Sequence, residues 1–186
     1  MKPITLSHIV LRDPEEARDN LLPLSFTRPL SELRVGILTL REKWELLMPG
    51  IYSWETAPYL AGKFPRKAEP AAYTVDSDII PTPAYVDALK RGVEMEPERI
   101  EHLYDIFLKN GDAIEADYRL ITAGRESMPL PESNTLIGDR SLLFIEAGAK
   151  VEGAILNTTH GPIYIGKDAE VMEGSCLRGP IALCEP

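Results

Sequence analysis

The sequence predicts an α/β chain in two parts: a small layer of strands and helices over residues 1–135, then a parallel β-solenoid starting at 141–186. Three observations predict it. Short apolar runs alternate with stretches of helical period as far as residue 123. Around Gly124 that period disappears, and Pro129, Pro131 and Asn134 mark a connector. From Ile145 a six-residue period takes its place.

The first element is Ser7-His8-Ile9-Val10-Leu11, a buried strand stopped by Asp13-Pro14. A short helical stretch over 15–22 follows and breaks at Pro23. Thr39-Leu40-Arg41-Glu42 has capping-box spacing, and Ile37, Leu40, Trp44 and Leu47 share one helical face before Gly50. A polar, proline-bearing loop at 63–70 leads to a second strand, 72–75, which runs into Asp76-Ser77-Asp78. Thr82-Pro83 supplies an N-cap and a first-turn proline for a helix through residue 90. Ile100, Leu103, Tyr104, Phe107 and Leu108 keep helical spacing, which predicts a helix closed by Asn110-Gly111. A last helix over 112–123 presents Ile114, Tyr118 and Ile121. The acidic stretch 94–101 reads as a solvated linker and helix start.

Six-residue units begin at Ile145, Val151, Ile165, Val171 and Leu177, and Leu183 opens another. The step from Val151 to Ile165 is fourteen residues, two more than two periods, so a small loop around 157–162 must leave one corner. Each aliphatic lead residue is expected to point inward, and Ala149, Ala154 and Ser175 to fit tight corners. The chain stops in mid-repeat at Leu183-Cys184-Glu185-Pro186, which leads us to expect an N-terminal fragment of a longer protein.

With 186 residues, 44% hydrophobic and 26% charged, the chain can bury a core. A net charge of −9 argues against nonspecific nucleic-acid binding, which needs a positive footprint. No apolar run approaches the roughly 20 residues that span a bilayer, and Met1-Lys2-Pro3-Ile4 lacks the layout of a secretory signal, so the expected compartment is the cytoplasm. Cys176 and Cys184 fit no common zinc spacing and read as plain thiols.

Leu22-Pro23-Leu24-Ser25-Phe26-Thr27-Arg28-Pro29-Leu30 resembles the Pro-Leu-Thr-x-Thr-Arg-Pro segment of sugar-1-phosphate nucleotidyltransferases, and Val75-Asp76-Ser77-Asp78-Ile79 resembles their Val-Asn-Gly-Asp strand end. The run from Arg28 through Trp44, with Gly161-Pro162-Ile163-Tyr164-Ile165-Gly166-Lys167, is similar to a nucleotidyltransferase family of Bacteroidetes type with a C-terminal hexapeptide-repeat left-handed β-helix. The resemblance implies a Rossmann-like front domain, Mg²⁺ as cofactor, and a nucleoside triphosphate and a sugar-1-phosphate as substrates. It makes Asp78 the metal ligand and Arg28 its catalytic companion, with Arg28, Arg34 and Arg41 on phosphates. Through the β-helix it also implies a homo-oligomer, with a trimer as the common form.

The chain departs from that pattern where a glycine-rich loop should lie. Residues 13–20 hold no glycine and four acids, which would repel phosphate. In ungapped register Asn20 replaces the motif arginine and Leu30 the lysine after Arg-Pro. The residues also have plainer readings. Arg28 could form a structural salt bridge, Arg41 could lie on an exposed helix face, and Asp78 could form a turn or cap a helix. Asp76 is a second metal candidate. His160, in the corner loop, reads either as an incidental surface residue or as the general base of a hexapeptide acyltransferase, the alternative function. His8 and His102 read as packing or surface residues, and Trp44 and Trp54 as core aromatics. A third reading is a non-enzymatic scaffold assembled through the β-helix.

Overall fold

The computed structural model describes residues 8–67 and 72–184, so Ser7, the end of the 63–70 loop, and Glu185-Pro186 lie outside the described residues. It confirms an α/β chain with parallel sheets. The chain divides into two compact units, Met1–Leu108 and Lys109–Pro186.

In the first unit β1 (His8–Arg12) is followed by α1 (Glu15–Asn20), α2 (Leu40–Leu47), β2 (Ile51–Glu55), β3 (Tyr73–Asp76), β4 (Ile79–Ile80), α3 (Pro83–Arg91), β5 (Glu98–Arg99) and α4 (Leu103–Leu108). Strand β1 is central, with β2 on one side and β3 on the other, all parallel. Ile9, Val10 and Leu11 are wholly buried, which explains an apolar run with no polar alternation. The core below them is Ile9, Leu11, Trp44, Met48, Tyr52, Val75, Ile79 and Val86.

Helix α2 begins with the capping box expected at Thr39: the Thr39 hydroxyl accepts from the Glu42 N–H, and the Glu42 carboxylate accepts from the Thr39 N–H at 2.7 Å. Its far end is tied to β2 because the Tyr52 hydroxyl reaches the carbonyls of Trp44 and Met48 at 2.9 and 2.6 Å. Helix α3 begins at Pro83, with the Thr82 hydroxyl accepting from the Tyr85 N–H, and ends at Gly92 in the left-handed conformation.

The region after residue 98 differs from expectation. Ile100 is buried, but its N–H bonds the Asp78 carbonyl before α4 begins. Helix α4 has six residues and leaves Leu103, Tyr104, Phe107 and Leu108 exposed. The apolar spacing was genuine, but a helix this short cannot carry the buried face that the spacing promised. Asn110-Gly111 opens the next helix rather than ending one, because the Ala113 N–H already bonds the Lys109 carbonyl.

In the second unit α5 (Asn110–Thr122) precedes β6 (Thr135–Ile137), β7 (Leu143–Ile145), β8 (Lys150–Val151), β9 (Ile155–Asn157), β10 (Ile163–Ile165), β11 (Glu170–Val171), β12 (Cys176–Arg178) and β13 (Ile181–Leu183). The strands form three parallel sheets, β7-β10-β13, β8-β11 and β6-β9-β12. The chain visits these sheets in strict rotation, as the coils of a parallel β-helix do. Ile163 pairs with Leu143 on one side and Ile181 on the other, twenty and eighteen residues along the chain. The shorter step is three hexads and the longer one includes the corner loop.

Ile145, Val151, Ile165 and Val171 are buried as their lead positions require, and Leu177 and Leu183 pack against them half-buried. By contacts the second unit begins at Lys109. Helix α5 and the connector belong with the coils: Tyr118 donates to the Ser141 carbonyl at 2.8 Å, and the Met128 N–H bonds Ile145.

Candidate active site

The parallel pairing of β1 with β3 sets Arg12 opposite Asp76 at the carboxyl end of the sheet. One residue further on, Asp13 joins the strand ends. Its Oδ1 accepts from the Leu30 N–H at 3.0 Å and from the Ser77 hydroxyl, and its Oδ2 from Arg18 at 3.1 Å and the Thr56 hydroxyl. With that side chain wholly buried, the tails of all three strands and the turn after Pro29 share one anchor.

Antiparallel pairing of β4 with β5 then returns Arg99 to the same edge. Arg99 Nη1 lies 2.9 Å from both carboxylate oxygens of Asp78 and 3.3 Å from Oδ2 of Asp76. Arg12 Nε donates to the remaining oxygen of Asp76 at 2.9 Å. The result is an alternating row: Arg12, Asp76, Arg99, Asp78. Burial pushes the Asp78 carboxyl up from its ordinary value, and Arg99 offsets only part of that. Burial likewise opposes the charge on Arg99, but Asp78 and Asp76 outweigh it and hold its pKa up.

Asp76, Asp78 and Arg99 line a cleft of about 440 Å³, closed on the other side by Pro14, Glu16, Ala17 and Asn20. The cleft therefore opens beyond the carboxyl ends of β1 and β3, where the strand order reverses around β1. Open α/β sheets bind their ligands at that place. The residues where a glycine-rich loop was missing form α1, whose first turn carries Glu15 and Glu16.

Arg28 and Arg34 line a second cleft of about 290 Å³ with Leu24, Thr27, Leu33 and Ile106. Arg34 also donates to the Ile37 carbonyl. Arg28 is exposed and has no ion-pair or hydrogen-bond partner among the described residues. Arg41 lines neither cleft; it pairs with Glu32 at 2.7 Å and with Glu45 at 2.8 Å. The structure thus brings Arg28 and Arg34 to one cleft and Asp78 to another, with Arg41 bound to its own helix and the turn before it.

Residues 9–96 match the model of a family described as sugar nucleotidyl transferase. That match supports nucleotidyl transfer as the general chemistry of the segment, with a nucleotide and a sugar phosphate as the classes of substrate. No curated protein matches the chain. The segment similar to the sugar nucleotidyl transferases runs from β1 past α3, so Arg28, Asp76 and Asp78 lie within it and Arg99 lies beyond it.

The remaining candidates sit as follows. His8 is buried with Nε2 2.7 Å from Ser53 Oγ, and His102 lies at the rim of the larger cleft with its ring 5.0 Å from that of Tyr104. His160 is exposed in the loop after β9. Trp44 is core, and Trp54 donates to Ser31 at 3.1 Å. Sequence reasoning passed over Arg12, Asp13 and Arg99. Asp13 read as a strand stop, and Arg99 lay in the acidic stretch taken for a solvated linker. Among the described residues no helix is long and apolar enough to cross a membrane.

Proposed function

We propose that the first unit transfers a nucleotidyl group from a nucleoside triphosphate to a sugar-1-phosphate, and that the larger cleft is where it does so. The observation that carries this reading is the carboxylate pair Asp76 and Asp78 at the switch point of a sheet whose sequence matches the sugar nucleotidyl transferases. In the reaction an oxygen of the sugar phosphate bonds to the α-phosphorus, the bond to the bridging oxygen breaks, and pyrophosphate leaves.

The donor set suits Mg²⁺. This ion takes one or two carboxylates and fills its remaining positions with water and substrate phosphate, and Asp76 and Asp78 offer two carboxylates at a cleft wall. Among the described residues no cluster of three or more metal-ligating side chains occurs, so substrate oxygens would complete the shell. When bound, Mg²⁺ neutralises phosphate charge and polarises the α-phosphorus. The protein's own part is positional. Asp78 and Asp76 would hold the ion at the sheet edge, and Asp13 ties together the ends of β1, β2 and β3. Arg28, exposed in the smaller cleft apart from the two aspartates, would serve a phosphate only if the substrate extends from one cleft to the other.

The test is pyrophosphate release from a panel of nucleoside triphosphates and hexose-1-phosphates, with Mg²⁺ and with a chelator. We expect turnover with at least one pair, abolished by the chelator. No turnover with any pair and no nucleotide binding by calorimetry would refute this function, and consumption of acetyl-CoA by the same preparation would replace it with acyl transfer.

A further inference from the structure

Arg99 contacts three of the four carboxylate oxygens of Asp76 and Asp78, both of Asp78 and one of Asp76. Two carboxylates this close repel each other unless a cation lies between them, and that cation is a guanidinium. It is also more accessible than either carboxylate it joins: side-chain exposure is 6% for Asp78, 19% for Asp76 and 33% for Arg99. The backbone holding it is slight, because β5 is two residues long and pairs only with β4.

The rest of the wall carries Glu16 and Glu101, and Arg99 is the one lysine or arginine among the described residues lining the cleft. A phosphate entering here meets in Arg99 a cation already engaged by two aspartates, while Arg12, outside the lining, holds the remaining Asp76 oxygen. A divalent ion between those aspartates needs the same oxygens. The two demands resolve together if the guanidinium leaves as the ion arrives.

We infer that Arg99 occupies the place a divalent cation takes between Asp76 and Asp78, and that metal entry releases its guanidinium to bind substrate phosphate. The inference rests on the reading of the two aspartates as metal ligands. Arg99 lies outside the residues matched to the sugar nucleotidyl transferases, and the β4-β5 pairing is what brings it to the two aspartates. The exchange makes phosphate binding conditional on metal without a glycine-rich loop. An arginine freed of its carboxylates presents a planar fork that fits phosphate in two-point contact.

The exchange predicts opposite effects of one substitution on two ligands. In the full chain, Mn²⁺ alone is titrated by the loss of its free-ion EPR signal, and pyrophosphate is titrated by calorimetry with and without Mg²⁺. Arg99→Met should bind Mn²⁺ about tenfold tighter or more than the unaltered chain, and bind pyrophosphate in Mg²⁺ about tenfold weaker. Asp78→Asn should lose the Mn²⁺ site in either background.

If Arg99→Met binds Mn²⁺ no tighter while Asp78→Asn still abolishes binding, the metal reading stands and the exchange is wrong. If neither the unaltered chain nor Arg99→Met shows an Asp78-dependent Mn²⁺ site, the metal reading itself falls. Should circular dichroism show Arg99→Met unfolded, Arg99→Lys serves instead. A single ammonium cannot bridge both aspartates as the fork does, so both shifts should keep their signs at about threefold; no shift overturns the exchange.

Discussion

The Ser77 hydroxyl, just past the end of β3, donates to Oδ1 of Asp13, just past the end of β1. The same Asp13 oxygen accepts the Leu30 N–H, so the two walls of the candidate site and the turn after Pro29 meet on one buried carboxylate.

Asp13→Ala should therefore be among the most damaging single changes in the first unit. It strands the Ser77 and Thr56 hydroxyls, the Leu30 N–H and the Arg18 guanidinium at once. Removing one partner of a buried ion pair costs about 3–5 kcal/mol. Urea denaturation should show a loss of that order, with Asp13→Asn milder because its amide oxygen still accepts.

Arg28 should behave in the opposite way. Its side chain is exposed and has no partner among the described residues, so Arg28→Ala should change stability by no more than about 0.5 kcal/mol. If it contacts phosphate, the KM for a phosphorylated substrate should rise by about tenfold or more, the equivalent of one charge-assisted hydrogen bond. Unchanged kinetics would return Arg28 to the solvated surface.

Glu42 links stability to pH. Burial opposes its ionisation, but the Thr39 N–H and hydroxyl outweigh burial and, with Arg34 and Arg41, hold its pKa below the ordinary carboxylate value. A carboxyl whose pKa is lower folded than unfolded stabilises the protein above the unfolded value, about 4.3, and loses that contribution as pH falls through the folded one. Glu42→Gln should flatten this limb of the pH–stability curve, measured by urea midpoints at successive pH values, and cost about 1 kcal/mol at neutral pH.

Gly179 should tolerate no side chain. A Cβ there would stand 2.1 Å from the Gly161 carbonyl oxygen and 2.7 Å from that of Pro162, backbone atoms of the neighbouring coil. Gly179→Ala should force the coils apart at that corner and cost about 1–3 kcal/mol, read as an earlier unfolding transition of the second unit. Gly62→Ala, where a Cβ meets nothing within 4 Å, is the matched control.

Much of the fold is legible in local sequence because its causes are local. The β1 apolar run, the Thr39 capping box and the Thr82-Pro83 helix start each act over a few neighbours, and each forms the element expected of it, while the parallel strands after residue 135 are compatible with the expected coils. Strand β2 was passed over although Ile51, Tyr52 and Trp54 favour a strand after Gly50; its place comes from pairing with β1 and from the Tyr52 hydroxyl under α2.

Part of the site was legible as well. Asp76 ends β3 and Asp78 lies just past it in one motif, and Arg28 stands in another, which is what made them candidates. The chain by itself thus determined where β1 and the capped starts of α2 and α3 lie, because hydrophobic runs and capping chemistry act within about one helical turn. Only the tertiary structure decided which charges meet. Arg99 reaches Asp78 because two short strands pair antiparallel, and Asp13 gathers three strand ends because β1 lies between β2 and β3. Ion pairing is a matter of distance in space, and residues 21 apart in the chain come within 2.9 Å only once the backbone has folded.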